Sequence, residues 1–152
     1  MLYEEMLIES DKYNLIIKEK PLQASDGRVN GNRIAIRKDI ETQVEKSCVL
    51  AEELGHYHTT SGDILNQEDV ANRKQEYRAR LYGYNMKIGL MGLVKAFEHG
   101  CKTSSEVAEY LDVTDEYLQD AIDCYTKKYG TYTMFNHYII YFCPCLGVIR
   151  LK

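Results

Sequence analysis

Several features that would classify this protein quickly are missing from its 152 residues. There is no tryptophan, there are only two prolines, and no apolar run approaches the roughly 18 to 20 residues that span a membrane. The N-terminus lacks the basic segment and apolar core of a secretory signal. The five cysteines are odd in number and irregularly spaced, unlike a disulfide framework. We therefore expect a cytoplasmic protein with reduced thiols and no membrane partner.

An excess of positive charge is also missing. Lysine and arginine number 19 against 23 acidic residues, which gives a formal net charge of −4, so a nucleic-acid partner is not expected. The chain is rich in residues that can form a hydrophobic core: 45% of its residues are hydrophobic, and 13 are tyrosines. This length and composition fit a single domain over residues 1–152.

The order of predicted elements is typical of an α+β domain. A short amphipathic helix is predicted over 2–12. Strands are predicted near the two ends of the chain, the last two as a closing hairpin: 14–18, 32–37, 138–142 and 146–151. Between them, helices are predicted to begin at four capping sequences: Thr42, Asn66, Thr103 and Thr114.

The segment that indicates a metal-binding function is 48–58, which contains Glu52, Glu53 and His56. On a helix, residues four apart lie on the same face, so the side chains of Glu52 and His56 project together. Zinc-binding helices place two ligands at this spacing and a carboxylate directly after the first ligand, most often as His-Glu-x-x-His. Here a glutamate takes the first position, and a carboxylate oxygen is an accepted zinc ligand.

A third ligand is available in the next predicted helix, where Glu76 follows His56 by 20 residues. That interval leaves enough chain for a turn and a helix that crosses back over the first. Other interpretations stay open: Glu52 could simply pair with His56, and Glu76 with Arg80, as ordinary contacts four residues apart. His58 is a further candidate ligand, but it lies about 200° around the helix from His56 and could join only if the helix unwinds.

Three stretches resemble the ImmA/IrrE family of zinc metallopeptidases, which are common in prophages and mobile elements. They are the run 48–56, the Glu76-Tyr-Arg-Ala79 motif, and the strand 32–36. Residues 104–125 are similar to the helix-turn-helix-like lobe of that family. The resemblance implies a zincin-like α+β fold with a small antiparallel sheet. In this fold, residues 1–100 form the core with the active helix, 101–130 the lobe, and 131–152 the C-terminal hairpin.

The resemblance also implies a function and a set of site residues. Members cleave a cytosolic regulatory protein, typically a Cro/CI-like repressor, by metal-dependent peptide hydrolysis. The implied metal ligands are Glu52, His56 and Glu76, and Glu53 is the implied general base that takes a proton from water. The implied substrate-binding strand presents an edge for an extended peptide and consists of Asn32, Arg33, Ile34, Ala35 and Ile36.

The metal is expected to be Zn²⁺. Because Glu52 and Glu76 together neutralise its charge, we expect slower or more alkaline-shifted hydrolysis than in a site with two histidines, and oxygen-rich ligation could also accept Mn²⁺.

Two other functions are compatible with the sequence. The first is a non-catalytic antirepressor, a protein-binding module on a degenerate peptidase scaffold, and Glu52 in the first ligand position keeps it open. The second is a DNA-binding regulator, which is suggested by the helix-turn-helix-like segment. Residues 103–129 contain seven acidic residues against two lysines, the wrong sign for contacts with phosphates, so this reading is disfavoured.

Overall fold

The computed structural model describes residues 1–59 and 69–152, and the side chains of 69–71 lie outside that description. The described chain is α+β, as predicted, and none of its helices is long and apolar enough to cross a membrane. The elements in chain order are α1 (Tyr3–Asp11), β1 (Ile16–Lys20), β2 (Gly27–Asn30), β3 (Arg33–Arg37), α2 (Gln43–Thr59), α3 (Asp69–Lys87), α4 (Gly89–His99), α5 (Ser104–Leu111), α6 (Asp115–Tyr129), β4 (Tyr132–Phe135), β5 (Tyr138–Tyr141) and β6 (Gly147–Arg150).

The chain divides into two compact units, 1–86 and 87–152. The first contains a three-stranded sheet in the order β1-β3-β2, with α1 and α2 packed on one of its faces. Its most deeply buried side chains include Met6, Ile34, Ile36 and Leu50. The helix predicted over 2–12 and the strands predicted over 14–18 and 32–37 are confirmed within two residues, whereas β2 was not predicted as a separate strand.

β3 is the central strand of the first sheet, so the prediction that 32–36 presents a free edge is wrong. It pairs in parallel with β1 along one side and in antiparallel with β2 along the other. The hairpin turn between β2 and β3 uses Gly31, whose φ of 61° lies in the region that favours glycine. This hairpin places β2 at the edge. Because β1 pairs with β3 in parallel, the sheet is mixed, and the expectation of a small antiparallel sheet is wrong for this unit.

The second unit contains α4, α5, α6 and an antiparallel sheet in the order β4-β5-β6. The predicted hairpin corresponds to β5 and β6, and β4 is an additional strand. The predicted division placed residues up to 100 in the first part, but α4 belongs to the second unit because it packs on α5, β5 and β6. At its centre Tyr125 is fully buried, and its hydroxyl oxygen accepts a hydrogen bond from the Gly89 amide at 3.2 Å.

Three of the four predicted helix caps are present. The hydroxyls of Thr42, Thr103 and Thr114 each accept a hydrogen bond from the amide three residues later, at 3.1, 3.2 and 3.0 Å. These bonds satisfy amides that have no partner within the helix. The fourth predicted cap, Asn66, lies outside the described residues.

The backbones of α2 and α3 lie close together at Gly55, whose neighbour in the chain is His56. A Cβ atom at Gly55 would lie 2.9 Å from the carbonyl carbon of Ala79 and closer still to its oxygen. Ala79 is fully buried and follows Glu76 by three residues, about one helical turn. The missing side chain at Gly55 therefore allows α3 to bring Glu76 beside His56.

A Gly55→Ala substitution is expected to lower the free energy of unfolding by about 1–3 kcal/mol, because the added methyl group forces the two backbones apart. Urea unfolding of the metal-free protein measures this loss. Gly147→Ala is the matched control, since a Cβ at Gly147 meets no atom within 4 Å. Equal unfolding midpoints for the two variants would contradict the close approach.

Candidate metal centre

The three predicted ligands converge. α2 presents Glu52 and His56 from successive turns, and α3 presents Glu76 opposite them. One ligand atom from each side chain lies within 4.8 Å of the other two, and all three residues are half-buried. His56 Nε2 lies 3.5 Å from Glu76 Oε1.

These residues fit a small divalent cation. Ligand atoms around a tetrahedral ion with bonds of about 2.1 Å lie roughly 3.4 Å apart, close to the separation of His56 and Glu76. One imidazole nitrogen and two carboxylate oxygens also form a donor set that Zn²⁺ accepts. Among the described side chains, those of residues 1–59 and 72–152, no other group of three histidines, cysteines, aspartates or glutamates has ligand atoms this close together.

The ordinary ion pair considered for Glu76 is also formed. Arg80 Nε lies 3.5 Å from Glu76 Oε1, the same oxygen that faces His56. The Glu76 and Arg80 side chains are 45% and 55% exposed, so their pairing contributes little to stability in water. Such a contact can coexist with a metal-binding role for Glu76.

Glu53 lies beside the cluster, between α2 and the sheet. Its side chain occupies the space over Gly27 of β2, where a Cβ would be 2.8 Å from Glu53 Oε1. Burial, and then the negative charges of Glu52 and Glu76, raise the pKa of the Glu53 carboxyl to about 7. A carboxylate with a pKa near neutrality is suited to accept and return a proton.

In the metal-free protein this raised pKa should make stability fall as the pH rises. Between the ordinary value of 4.5 and about 7, folded Glu53 keeps a proton that the unfolded chain loses. The folded state then binds more protons, so the free energy of unfolding declines across this window, is unaffected below it and is constant above it. Allowing for the partial exposure of Glu53, we expect a total loss of about 2 kcal/mol.

Urea unfolding in the presence of a chelator, at about pH 5 and about pH 8, measures this loss against a Glu53→Gln variant. Glutamine does not titrate, so the variant should lose less stability than the wild type over the same range. The same pH dependence in both proteins would show that Glu53 has an ordinary pKa.

His58 is not brought to the cluster. α2 remains helical through Thr59, and the His58 ring stacks on Tyr82 with ring centres 5.0 Å apart and meets the edge of Tyr13 at 4.8 Å. Burial lowers the pKa of His58, so the imidazole favours its neutral form. Neither this aromatic group nor the position of Gly27 beneath Glu53 could be found from the sequence, because both depend on contacts between distant segments.

Comparison with protein-family models, with curated proteins and with solved structures finds no match to this chain.

Proposed function

We propose that the protein is a zinc-dependent endopeptidase of the ImmA/IrrE type with a zincin-like domain. The observation that carries this proposal is the convergence of Glu52, His56 and Glu76, with Glu53 next to them. The proposed substrate is a cytosolic regulatory protein, a Cro/CI-like repressor of a prophage or mobile element. The likeness of the 48–56 and 76–79 motifs to that family supports this choice.

The residues have distinct roles in this proposal. Glu52, His56 and Glu76 would hold Zn²⁺, or Mn²⁺ given the two oxygen ligands. When bound, such an ion acts as a Lewis acid that activates water and polarises a peptide carbonyl group. The Glu53 carboxylate would accept the proton of the attacking water and return it to the departing amine, which a pKa near neutrality favours in both directions.

The substrate-binding strand is proposed to be β2 instead of 32–36. β2 pairs with β3 along one side, and within the described residues its other side has no strand partner. It also contacts α2, and its Gly27 lies against the Glu53 side chain. An extended peptide hydrogen-bonded along this edge would therefore pass close to the proposed general base.

Metal-dependent cleavage of peptides is the test of this function. The purified protein, loaded with Zn²⁺ or Mn²⁺, is incubated with peptides from a digested bacterial proteome, and new termini are identified by mass spectrometry. We expect new termini with loaded protein and a loss of at least about 100-fold in their rate of formation after chelation, because the proposed hydrolysis depends on the ion as a Lewis acid. Cleavage that survives chelation unchanged, or that never occurs with either metal, would refute the proposal.

A further inference from the structure

The face of the first sheet opposite α1 and α2 carries a group of basic side chains. Neighbours in register share a face, so Lys18 of β1, Ala35 of β3 and Arg28 of β2 form one row across it. Ile16, Arg33 and Asn30 form the adjacent row. We call this surface the basic face and define it by four exposed residues: Lys18, Lys20, Arg28 and Arg33.

The basic face surrounds a cavity of about 400 Å³. Its lining combines the four basic residues with apolar ones, among them Ile16, Leu22 and Ala35, and none of the described residues that line it is acidic. The chain as a whole has a net charge of −4, so this surface differs in sign from the protein as a whole. The cavity is therefore lined by apolar side chains and surrounded by positive charge.

The charges of the basic face have no ion-pair partners among the described residues. A fifth basic residue on the same side of the sheet, Arg37, is paired with Asp26 at 2.6 Å and Asp39 at 2.8 Å. By contrast, no described carboxylate lies within ion-pair distance of Lys18, Lys20, Arg28 or Arg33. Four like charges around one cavity repel each other, and an anionic partner would relieve that repulsion.

The chemistry of the cavity favours an acidic polypeptide over a nucleic acid. Single-stranded nucleic acids bind basic grooves by stacking bases on aromatic side chains, and none of the described lining residues is aromatic. A phosphate backbone also offers nothing apolar to cover Ile16, Leu22 and Ala35. A glutamate side chain offers both kinds of contact, because its methylene groups can cover the apolar residues while its carboxylate pairs with a basic one.

We propose that the basic face binds an acidic segment of the protein substrate. This rests on the proposed function, in which an extended substrate pairs along β2. Two residues of β2, Arg28 and Asn30, have side chains on the same surface as the basic face. A peptide paired along the β2 edge directs every second side chain to this side of the sheet. Carboxylates at those positions would lie next to Arg28 on the edge strand β2, and longer acidic side chains would reach Arg33 on the central strand β3. The preferred substrate segment therefore has acidic residues at alternate positions.

Binding can be measured without metal and without cleavage. The probe is a fluorescein-labelled peptide in which glutamate alternates with valine or alanine, and its comparison is the same peptide with glutamine in place of glutamate. Glu53→Gln protein in chelator is titrated against each while fluorescence anisotropy is recorded. We expect the glutamate peptide to bind at least about tenfold more tightly, with an affinity that falls as salt is raised.

Charge reversal identifies the surface. Introducing Arg28→Glu and Arg33→Glu together should weaken binding of the glutamate peptide at least about tenfold. The matched control reverses two exposed lysines of the second unit, Lys95→Glu with Lys127→Glu, and should leave binding unchanged. Circular dichroism verifies that both double variants are folded, and Lys18→Gln provides a milder variant of the same surface.

Three outcomes would overturn the proposal. The first is equal binding of the glutamate and glutamine peptides, and the second is equal loss in the two charge-reversed proteins. The third is a preference of the basic face for a DNA duplex or for vesicles containing phosphatidylserine over the glutamate peptide. Failure of the proposed function looks different, because a wild-type protein that binds the peptide but cleaves nothing when loaded with metal would refute the peptidase and still support the basic face.

Discussion

Glu76→Ala protein is expected to lose most of its bound metal. Glu76 supplies one of three ligand atoms and one of the two negative charges that offset a divalent cation. The remaining pair, Glu52 and His56, lies on a single helix and cannot enclose the ion from a second side. We expect the affinity for Zn²⁺ to fall by about two orders of magnitude or more.

Elemental analysis of proteins purified in parallel, with any affinity tag removed, measures this effect, and titration with Zn²⁺ gives the change in affinity. Arg80→Ala is the matched control because it breaks the contact with Glu76 but removes no candidate ligand. If Glu76 serves only the ion pair, the two variants will carry as much metal as the wild type. That result would remove Glu76 from the site and with it the basis of the proposed function.

Glu53→Gln should abolish cleavage while the metal stays bound. Glutamine keeps the size of the side chain but cannot accept the proton, and removal of a general base costs about 10²–10⁴-fold in rate. The measurement is the rate of appearance of new peptide termini, or hydrolysis of a fluorogenic peptide designed from the first cleavage site. Glu45→Gln is a suitable control because Glu45 is an exposed residue in the first turn of the same helix.

The same variant separates the peptidase from the antirepressor. A protein that acts by covering its partner should relieve repression equally well as wild type and as Glu53→Gln. A peptidase should lose this effect together with cleavage. Equal rates of hydrolysis for the wild type and Glu53→Gln would show instead that another group moves the proton.

Much of the fold followed from short-range patterns. The caps at Thr42, Thr103 and Thr114 were predictable because a hydroxyl and the amide three residues later meet within a single turn. Glu52 and His56 could be paired for a similar reason, since helical geometry alone puts residues four apart on one face. The α+β class followed from the order of strands and helices along the chain.

The position of β3 shows where such patterns stop being informative. Alternation identified 32–37 as a strand but carried no information about its neighbours, and β3 is in fact enclosed by β1 and β2. The strand with a free side next to α2 is β2, a four-residue segment in which only Val29 is strongly apolar. Which strand becomes an edge is decided by how several segments pair, and no single segment encodes it.

The candidate site divides in the same way. The sequence by itself determined the ligand types, the spacing of Glu52 and His56 and the adjacent Glu53, because all of these depend on contacts within one helix. Only the tertiary structure decided that Glu76 meets His56, that Glu53 is buried near two other carboxylates, and that four separate basic residues form one face. Each of these depends on how closely distant backbones approach, as α2 and α3 do at Gly55, and that distance is set by packing of the whole unit and not by any local stretch of chain.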